Sequence, residues 1–513
     1  MNRTTIGSVM RGMCYGFAAL LFAASCANDN VTQDEKQNKD NIPAGATLFT
    51  GTSQPEVKVR TAILNHTKGA GASVNWSSTD KIWVKDDGGN WQQSTTTIIP
   101  SAANPSYAKF ALSGSYTGAS HDILYTNMAV TGTQPQVEIK TVQTQPAPNN
   151  FDHAGESGDC GIATGNKAAN GYGFTLNHKA SYLCFIPRTS NEYVKRSKLT
   201  RIDIISDDDI AGTYDIAANG DLTLASGGVK MIIVFTGSGF AIDNTADDMS
   251  KNATYAVVAP GTHTFRIRYW LRNTTDNPNG LIEGTVSKIV TLNCTPGSIH
   301  DITANLNPHD YDGDHYYMWD AQQQYWYGYE WTKNLGAGVG QPTQIFGRSL
   351  NYAQSNTDPR YWNESYLGNG VSTPATHTSC KDLPNANEMT WYAASDPRWD
   401  NDELWTTMGH LYKGGMWFKK KANISGYNPN TAVDGTDWRT TGNGNRRSWS
   451  VSRILPSAAD AGNYFYLPTL GYYSTIGQLY GLGSGLYWSS SGTPWTDNAA
   501  YYLIFYTSNV SVD

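Results

Sequence analysis

The sequence predicts a multidomain chain in which two all-β sandwich domains precede an α+β domain. Three observations carry this reading. At 513 residues the chain exceeds a single core, and at roughly 150 residues per domain it divides into about three. Before Pro308, segments alternate polar and apolar residues between clusters of Gly, Asn, Asp and Pro, and no helical apolar stripe of useful length appears in 46–300. After Pro308 the composition changes: 12 of the 16 Trp and 21 of the 31 Tyr lie in residues 309–513.

The amino terminus is a targeting segment. Arg3 and Arg11 flank or precede the apolar run Met13–Ala24, which is short for a bilayer span and fits a signal-peptide core. The run ends in Ala23-Ala24-Ser25-Cys26. Small residues before a cysteine suit lipoprotein signal peptidase, which would leave Cys26 as a lipidated amino terminus. Leu is commoner where Ala23 stands, and an ordinary secretory signal is the alternative. Residues 1–25 are therefore assigned to the signal and 26–45 to a polar, flexible tether. Asp34-Glu35 within it resembles a surface-export signal of such lipoproteins.

Five segments show the strand pattern most clearly: Val57–Arg60, Lys81–Val84, Val137–Lys140, Thr200–Ile205 and Thr264–Tyr269. They are placed in two domains, 46–170 and 171–308, divided near Ala168–Gly173. Charged residues make up only 16% of the chain and the formal net charge is −7. A diffuse acidic balance argues against nucleic acid or an anionic membrane surface as partner. Cys160, Cys184, Cys294 and Cys380 include no CxxC pair, which excludes a zinc ribbon. Three disulfide connectivities are open to them, and buried free thiols are the favoured reading.

Ala72–Val84, with Trp76, Asp80, Lys81, Ile82 and Val84, resembles the "W…D-K-I-x-V" segment of fimbrillin-type lipoprotein pilins. Phe174–Leu183, Leu199–Ile205, Ile210–Asp215 and Gly220–Thr223 are similar to strands of their second domain. The resemblance covers 46–305 and implies a pilus or cell-surface protein of the outer membrane. His178, on one of these strands, is expected to be a core or capped histidine rather than a base.

In 309–513 the first helix is predicted from Asn385, whose spacing to Glu388 is that of a capping box. A second helix is predicted over Asn401–Lys413, with Leu404, Met408, Leu411 and Tyr412 on one face and Gly414-Gly415 ending it. Asn463–Tyr472, containing Leu467-Pro468 and Gly471, precedes Gly485-Leu486-Tyr487-Trp488-Ser489-Ser490-Ser491. This "LP…G" and "G-x-Y-W-S-S" pair resembles bacterial C-type-lectin-like domains, including the major paralogous domain of surface lipoproteins. It is also similar to the variable proteins of diversity-generating retroelements.

Signals for chemistry are sparse. Asp310, Asp312 and Asp314 alternate like the start of a calcium loop, but no Glu follows at the twelfth position. The Glu-Pro-Asn and Gln-Pro-Asp triplets of calcium-dependent lectins are missing from this segment. Glu330 and Glu364 are carboxylates of the kind a glycosidase pairs, and His410 is placed as a helix-dipole partner. With no catalytic signature in the sequence, the expectation is a non-enzyme without cofactor or metal.

A binding surface remains. Tyr, Ser, Thr and Asn crowd the carboxyl-terminal segment, combining stiff amphipathic area with adaptable hydrogen bonding. In Ala499–Tyr506, Tyr501, Leu503 and Phe505 share one face and Tyr502, Ile504 and Tyr506 the other. The Leu/Phe face and Trp488 are expected in the core. Thr493, Trp495, Asp497, Asn498, Tyr502, Tyr506, Ser508 and Asn509 are expected to form one ligand-binding patch. The function this implies is a lipid-anchored outer-membrane adhesin or pilus tip subunit. Its partners would be a host or bacterial surface protein or glycan, and other pilus subunits. The alternative is a structural pilus subunit that binds no ligand and whose carboxyl-terminal domain only modifies assembly. The resemblance to fimbrillins implies stalk subunits that donate an extended carboxyl-terminal strand to a neighbour, and packing of Val510–Asp513 would discriminate the two. The 309–513 domain is expected to fold alone.

Overall fold

The structure is a computed structural model. It describes residues 42–513 except 53–61, 65, 70–71, 274–280, 313–315, 317, 326, 333–351, 365–369, 408–409, 441–444, 474–478 and 481–482. Cys26, the signal segment, most of the tether and the Val57–Arg60 strand lie outside the described residues.

The alternation in the sequence becomes strand pairing. In the first sheet the order from edge to edge is Trp91–Gln93, Trp83–Lys85, Ser120–Tyr125, Gly161–Ala168, Gly171–Thr175, Thr47–Thr52, Ala108–Leu112 and Thr96–Ile98. All pairs on this path are antiparallel except Thr47–Thr52 with Gly171–Thr175, where Phe49 stands beside Tyr172. Ile82 and Val84 turn inward and Trp83 lies half-buried between them, as period two requires. Trp76 sets its ring edge-on to Phe110 at 4.9 Å, and Phe49 stacks on Tyr172 at 4.7 Å. These rings center one core.

The division expected near Ala168–Gly173 falls instead on a hairpin turn inside this sheet, because Ala168 pairs with Gly171. Gly171 has φ +125°, and a Cβ there would meet the Leu48 carbonyl oxygen at 2.2 Å. The crossover between the two sandwiches is interleaved. Gln136–Ile139 and Val142–Thr144 precede the hairpin, yet they pair with Ala211–Ile216 and Met231–Ala241 of the second sandwich. One layer there is the sheet Thr254–Val258, Ser181–Arg188 and Ile299–Asn305. The other includes Lys198–Ser206 and Gly261–Asn273, and a common core joins Phe185 and Ile186 to Ile202, Ile204, Ile267 and Tyr269. His178 is buried with its Nδ1 2.9 Å from Asp159 Oδ1, which also accepts from the Tyr182 hydroxyl. All four cysteines after Cys26 are buried free thiols.

The 309–513 segment is not a separate body. Its strands Arg398–Thr407, His410–Lys419 and Tyr464–Pro468 continue the second sandwich's sheet beyond Ile282–Cys294, through a parallel contact of Thr285 with Glu403. Residues Ile42–Asp513 accordingly form one compact unit. At the seam a Cβ on Gly284 would lie 2.5 Å from the Asp402 carbonyl oxygen, so only glycine lets the strands close. Arg268 donates to Asp400 at 2.8 Å across the seam, both side chains being almost fully buried. Ser287 N and Oγ donate to the Glu403 carboxylate at 3.0 and 2.6 Å. Burial first, then the charge of Asp400, raises the Glu403 pKa above its ordinary value, while Arg268 and the Ser287 donors act the other way. Asp207 accepts from Ala458 N and Ala459 N at 3.0 and 2.8 Å. Expressing 309–513 alone strips Arg268 from Asp400 and Thr285 and Ser287 from Glu403, and uncovers buried Leu404. The expected result is an aggregated fragment without a cooperative thermal transition, while the full chain stays soluble; a sharp transition in the fragment would contradict this.

The predicted first helix is Ala386–Ala394, and its capping box is complete: Glu388 N donates to Asn385 Oδ1 at 3.1 Å and Asn385 N to Glu388 Oε2 at 2.8 Å. The second predicted helix is instead a β-hairpin of Arg398–Thr407 and His410–Lys419. Leu404 and Leu411 lie on one face in either conformation, seven residues apart on a helix or near each other across a hairpin. Tyr412 decides the matter. It stands opposite Trp405 on the other face, and the rings stack at 4.9 Å. Trp405, Thr406, Thr407 and Tyr412 all favour strands. Met408 lies outside the described residues. His410 starts the second strand and caps no helix. Gly414-Gly415 does not end a helix but lets strands approach, since a Cβ on Gly415 would lie 2.4 Å from the Leu467 carbonyl oxygen.

Helix Ala386–Ala394 packs against a four-stranded antiparallel sheet ordered Arg447–Ser450, Asn509–Val512, Ala500–Phe505 and Gly485–Gly492. Tyr501, Leu503, Phe505, Val510 and Val512 join Met389, Met416, Phe418 and Trp438 in its core. The expected inward face is the observed one. Trp488 is not in this core. Register sets it opposite Tyr502, on the reverse face, and Tyr487 opposite Leu503 takes the inward position.

Candidate functional site

The reverse face of that sheet forms one wall of a cleft of about 660 Å³. Trp488 and Tyr502 are cross-strand partners there, edge to face at 5.8 Å. Burial, with Asp513 nearby, raises the Tyr502 pKa, so its hydroxyl keeps its proton and can donate. Asp497, Asn498 and Ala499, from the segment preceding Ala500–Phe505, form the rim.

The opposite wall comes from segments without regular structure. Met318, Trp319, Tyr352, Gln354, Tyr361 and Trp362 line it, and Tyr473 contributes from a short strand. Hydrogen bonds fix these segments. Trp319 Nε1 donates to the Ser489 carbonyl at 2.9 Å. Arg360 forks onto the Asp358 carboxylate and donates to the Tyr325 carbonyl at 3.3 Å. Tyr325 in turn stacks on Tyr473 at 3.7 Å. Behind the wall lies Asp320, fully buried and held at φ 55°. Its carboxylate accepts from Thr376 N, Thr376 Oγ1, His377 N and Asn363 Nδ2 at 2.7–3.0 Å. One carboxylate thereby ties the 318–320 turn to the segments bearing Trp362 and Thr376.

The eight predicted site residues do not form one patch. Asp497, Asn498 and Tyr502 line the cleft. Thr493 is buried, and both its N and Oγ1 donate to the Ala499 carbonyl, closing the 493–499 loop. Trp495, within this loop, is exposed, with its ring edge-on to Tyr501 at 5.5 Å. Tyr506, Ser508 and Asn509 sit at the turn between two strands, where Tyr506 N donates to the Asn509 carbonyl. They do not line the cleft. The sequence reading missed Trp319, Tyr352, Gln354, Tyr361 and Trp362, for which the aromatic enrichment of the segment was the available signal.

The cleft offers ring faces, tyrosine hydroxyls, two carboxamides and one carboxylate. Among the described residues lining it, Asp497 is the single acid. A pair of carboxylates for glycoside hydrolysis is not assembled from them. Glu330 and Glu364 are exposed and away from the lining, and Glu364 accepts from Asn356 at 2.5 Å. Asp310 and Asp312 accept from Thr406 and Thr407 at 3.2 Å each, while Gly313 and Asp314 lie outside the described residues.

No family model and no curated protein matches this chain. Among solved structures it is similar to a Bacteroides ovatus protein assigned to cell adhesion, at 12% identity and TM-score 0.31, covering 50% of this chain and 91% of that one. It is similar to a fimbrial protein from Bacteroides ovatus at 12% identity and TM-score 0.24, covering 52% and 51%. A third similarity is to the fimbrial anchor protein Mfa2 from Porphyromonas gingivalis, at 12% identity and TM-score 0.24, covering 51% and 90%.

Proposed function

We propose that this chain is a cell-surface adhesin, lipid-anchored through Cys26, that binds a glycan in the aromatic cleft of a lectin-like carboxyl-terminal segment. The cleft is the observation that carries the reading. Flat rings stack on the C–H faces of sugars, and Gln354, Asn498, Asp497 and the tyrosine hydroxyls suit the directional hydrogen bonds of sugar hydroxyls. The fold around it supports a lectin-like domain, with a capped helix packed on an antiparallel sheet and long irregular segments forming the ligand wall. A structural pilus subunit that lends its Asn509–Val512 strand to a neighbour fits less well. That strand lies between two others of its own sheet, with Val510 and Val512 fully buried.

The test is a glycan array probed with the purified full chain, followed by affinity measurement on the best ligand. Tyr502→Ala is expected to weaken binding at least about tenfold while leaving stability within about 1 kcal/mol. Tyr506→Ala, at the turn outside the cleft, should bind as wild type. Binding that survives Tyr502→Ala and Trp488→Ala alike would remove the cleft from the mechanism.

A further inference from the structure

Inside the second sandwich three metal-ligating side chains meet, none of them part of the cleft. Cys184 and Asp301 are register partners on the parallel strands Ser181–Arg188 and Ile299–Asn305. His66 reaches them from the segment that follows strand Ala62–Leu64. One ligand atom from each lies within 4.8 Å of the others. His66 and Cys184 are buried, while the Asp301 side chain retains 15% exposure and gives a route to solvent.

Hydrogen bonds around the cluster orient its side chains. The Tyr255 hydroxyl donates its one hydrogen to Asn149 Oδ1 at 2.5 Å. At His66 Nδ1, 3.1 Å away, the Tyr255 oxygen is therefore the acceptor and Nδ1 carries the hydrogen. His66 Nε2 faces Asp301 Oδ1 at 3.4 Å. That oxygen is buried without a hydrogen-bond donor, whereas Oδ2 accepts from Gly69 N at 2.7 Å. A carboxylate oxygen buried without a donor calls for a positive charge beside it. A proton on Nε2 answers for one nitrogen and one oxygen; a metal ion also engages the sulfur.

We propose that His66, Cys184 and Asp301 form a zinc-binding site with a fourth position for water. Nitrogen, sulfur and carboxylate oxygen together suit a borderline-soft ion that prefers four ligands. Bonds of about 2.0–2.3 Å place tetrahedral ligand atoms about 3.3–3.7 Å apart. Nε2 and Oδ1 already stand at that spacing, and the sulfur closes by about an ångström. Tyr255 orients the ring through Nδ1, as the outer partner of a zinc-bound histidine does. Cys184 binds as thiolate, and its proton passes to solvent as the ion enters. No electron is transferred. The ion would staple the 66–69 segment onto the second sandwich.

The experiment uses the full chain, freed of metal with a chelator and then supplied with zinc or cobalt(II). The expected result is one zinc per chain, a sulfur-to-cobalt charge-transfer band, and a melting temperature that rises with zinc. Cys184→Ser should abolish the band, and Cys294→Ser should keep it. Asp301→Asn, nearly isosteric, should fold, weaken zinc at least about tenfold and lose the thermal response. Absence of stoichiometric binding at micromolar zinc in the wild type would overturn the site. So would a band that persists in Cys184→Ser, or an unchanged zinc response in Asp301→Asn.

Discussion

Replacing Asp400 by Ala is expected to cost about 3–5 kcal/mol, the range for removing one partner of a buried ion pair. The substitution leaves the Arg268 guanidinium buried without its carboxylate. It also takes the acceptor from Trp417 Nε1 at 3.2 Å and Asp402 N at 3.1 Å. Arg268 keeps only Thr285 Oγ1, at 2.8 Å, among these contacts. The loss should appear as one shift of the transition shared by the second sandwich and the carboxyl-terminal segment, because a single sheet runs through both. Denaturant unfolding followed by tryptophan fluorescence measures it. Replacing both partners by apolar residues, Arg268→Met with Asp400→Leu, should restore much of the loss. A stability within about 1 kcal/mol of wild type in Asp400→Ala alone would show that the pair does not hold the seam.

Asp320→Ala is expected to be comparably damaging, at about 3–5 kcal/mol. Thr376 N, His377 N, Thr376 Oγ1 and Asn363 Nδ2 all lose the acceptor that the buried Asp320 carboxylate supplies. The left-handed backbone at this position adds strain for Ala that Asp and Asn tolerate better. Asp320→Asn keeps the shape and one acceptor oxygen, so it should lose less. Because the carboxylate ties down the segment that carries Trp362, glycan binding should fall further than stability in the Asn variant. Thermal melts beside binding isotherms separate the two, and a fully stable Asp320→Ala variant would contradict the reading of this carboxylate as the anchor of the cleft wall.

Local features were legible in the sequence because their causes are local. Ile82 and Val84 alternate with Trp83 since a half-buried strand allows nothing else, and Asn385 with Glu388 makes a helix start wherever the chain goes. The hairpin Arg398–Lys419 was misread because Leu404 and Leu411 share a face in both conformations, and only the cross-strand pairing of Trp405 with Tyr412 distinguishes them. Strand parity placed Tyr501, Leu503 and Phe505 together, but the inward side of Trp488 depends on a register that no single strand contains. The cleft was half visible. Asp497, Asn498 and Tyr502 lie on or beside a readable strand, whereas Trp319, Tyr352 and Tyr361 sit on irregular segments brought in by Asp320, Asp358 and Arg360. The seam was hidden for the same reason, being a contact between residues more than one hundred positions apart.

The interleaving of the two sandwiches limits how such a chain can be recombined. Strands Gln136–Ile139 and Val142–Thr144 belong to the second sandwich, while Gly161–Ala168, Gly171–Thr175 and Asn177–His178 return to the first. A gene crossover anywhere between codons 136 and 178 therefore exchanges strands between two cores at once. Exchange at the apparent midpoint near 170 would split a hairpin and hand each descendant a mismatched sheet. The sandwiches cannot be traded as independent cassettes, and each stays intact only when both are inherited as a block.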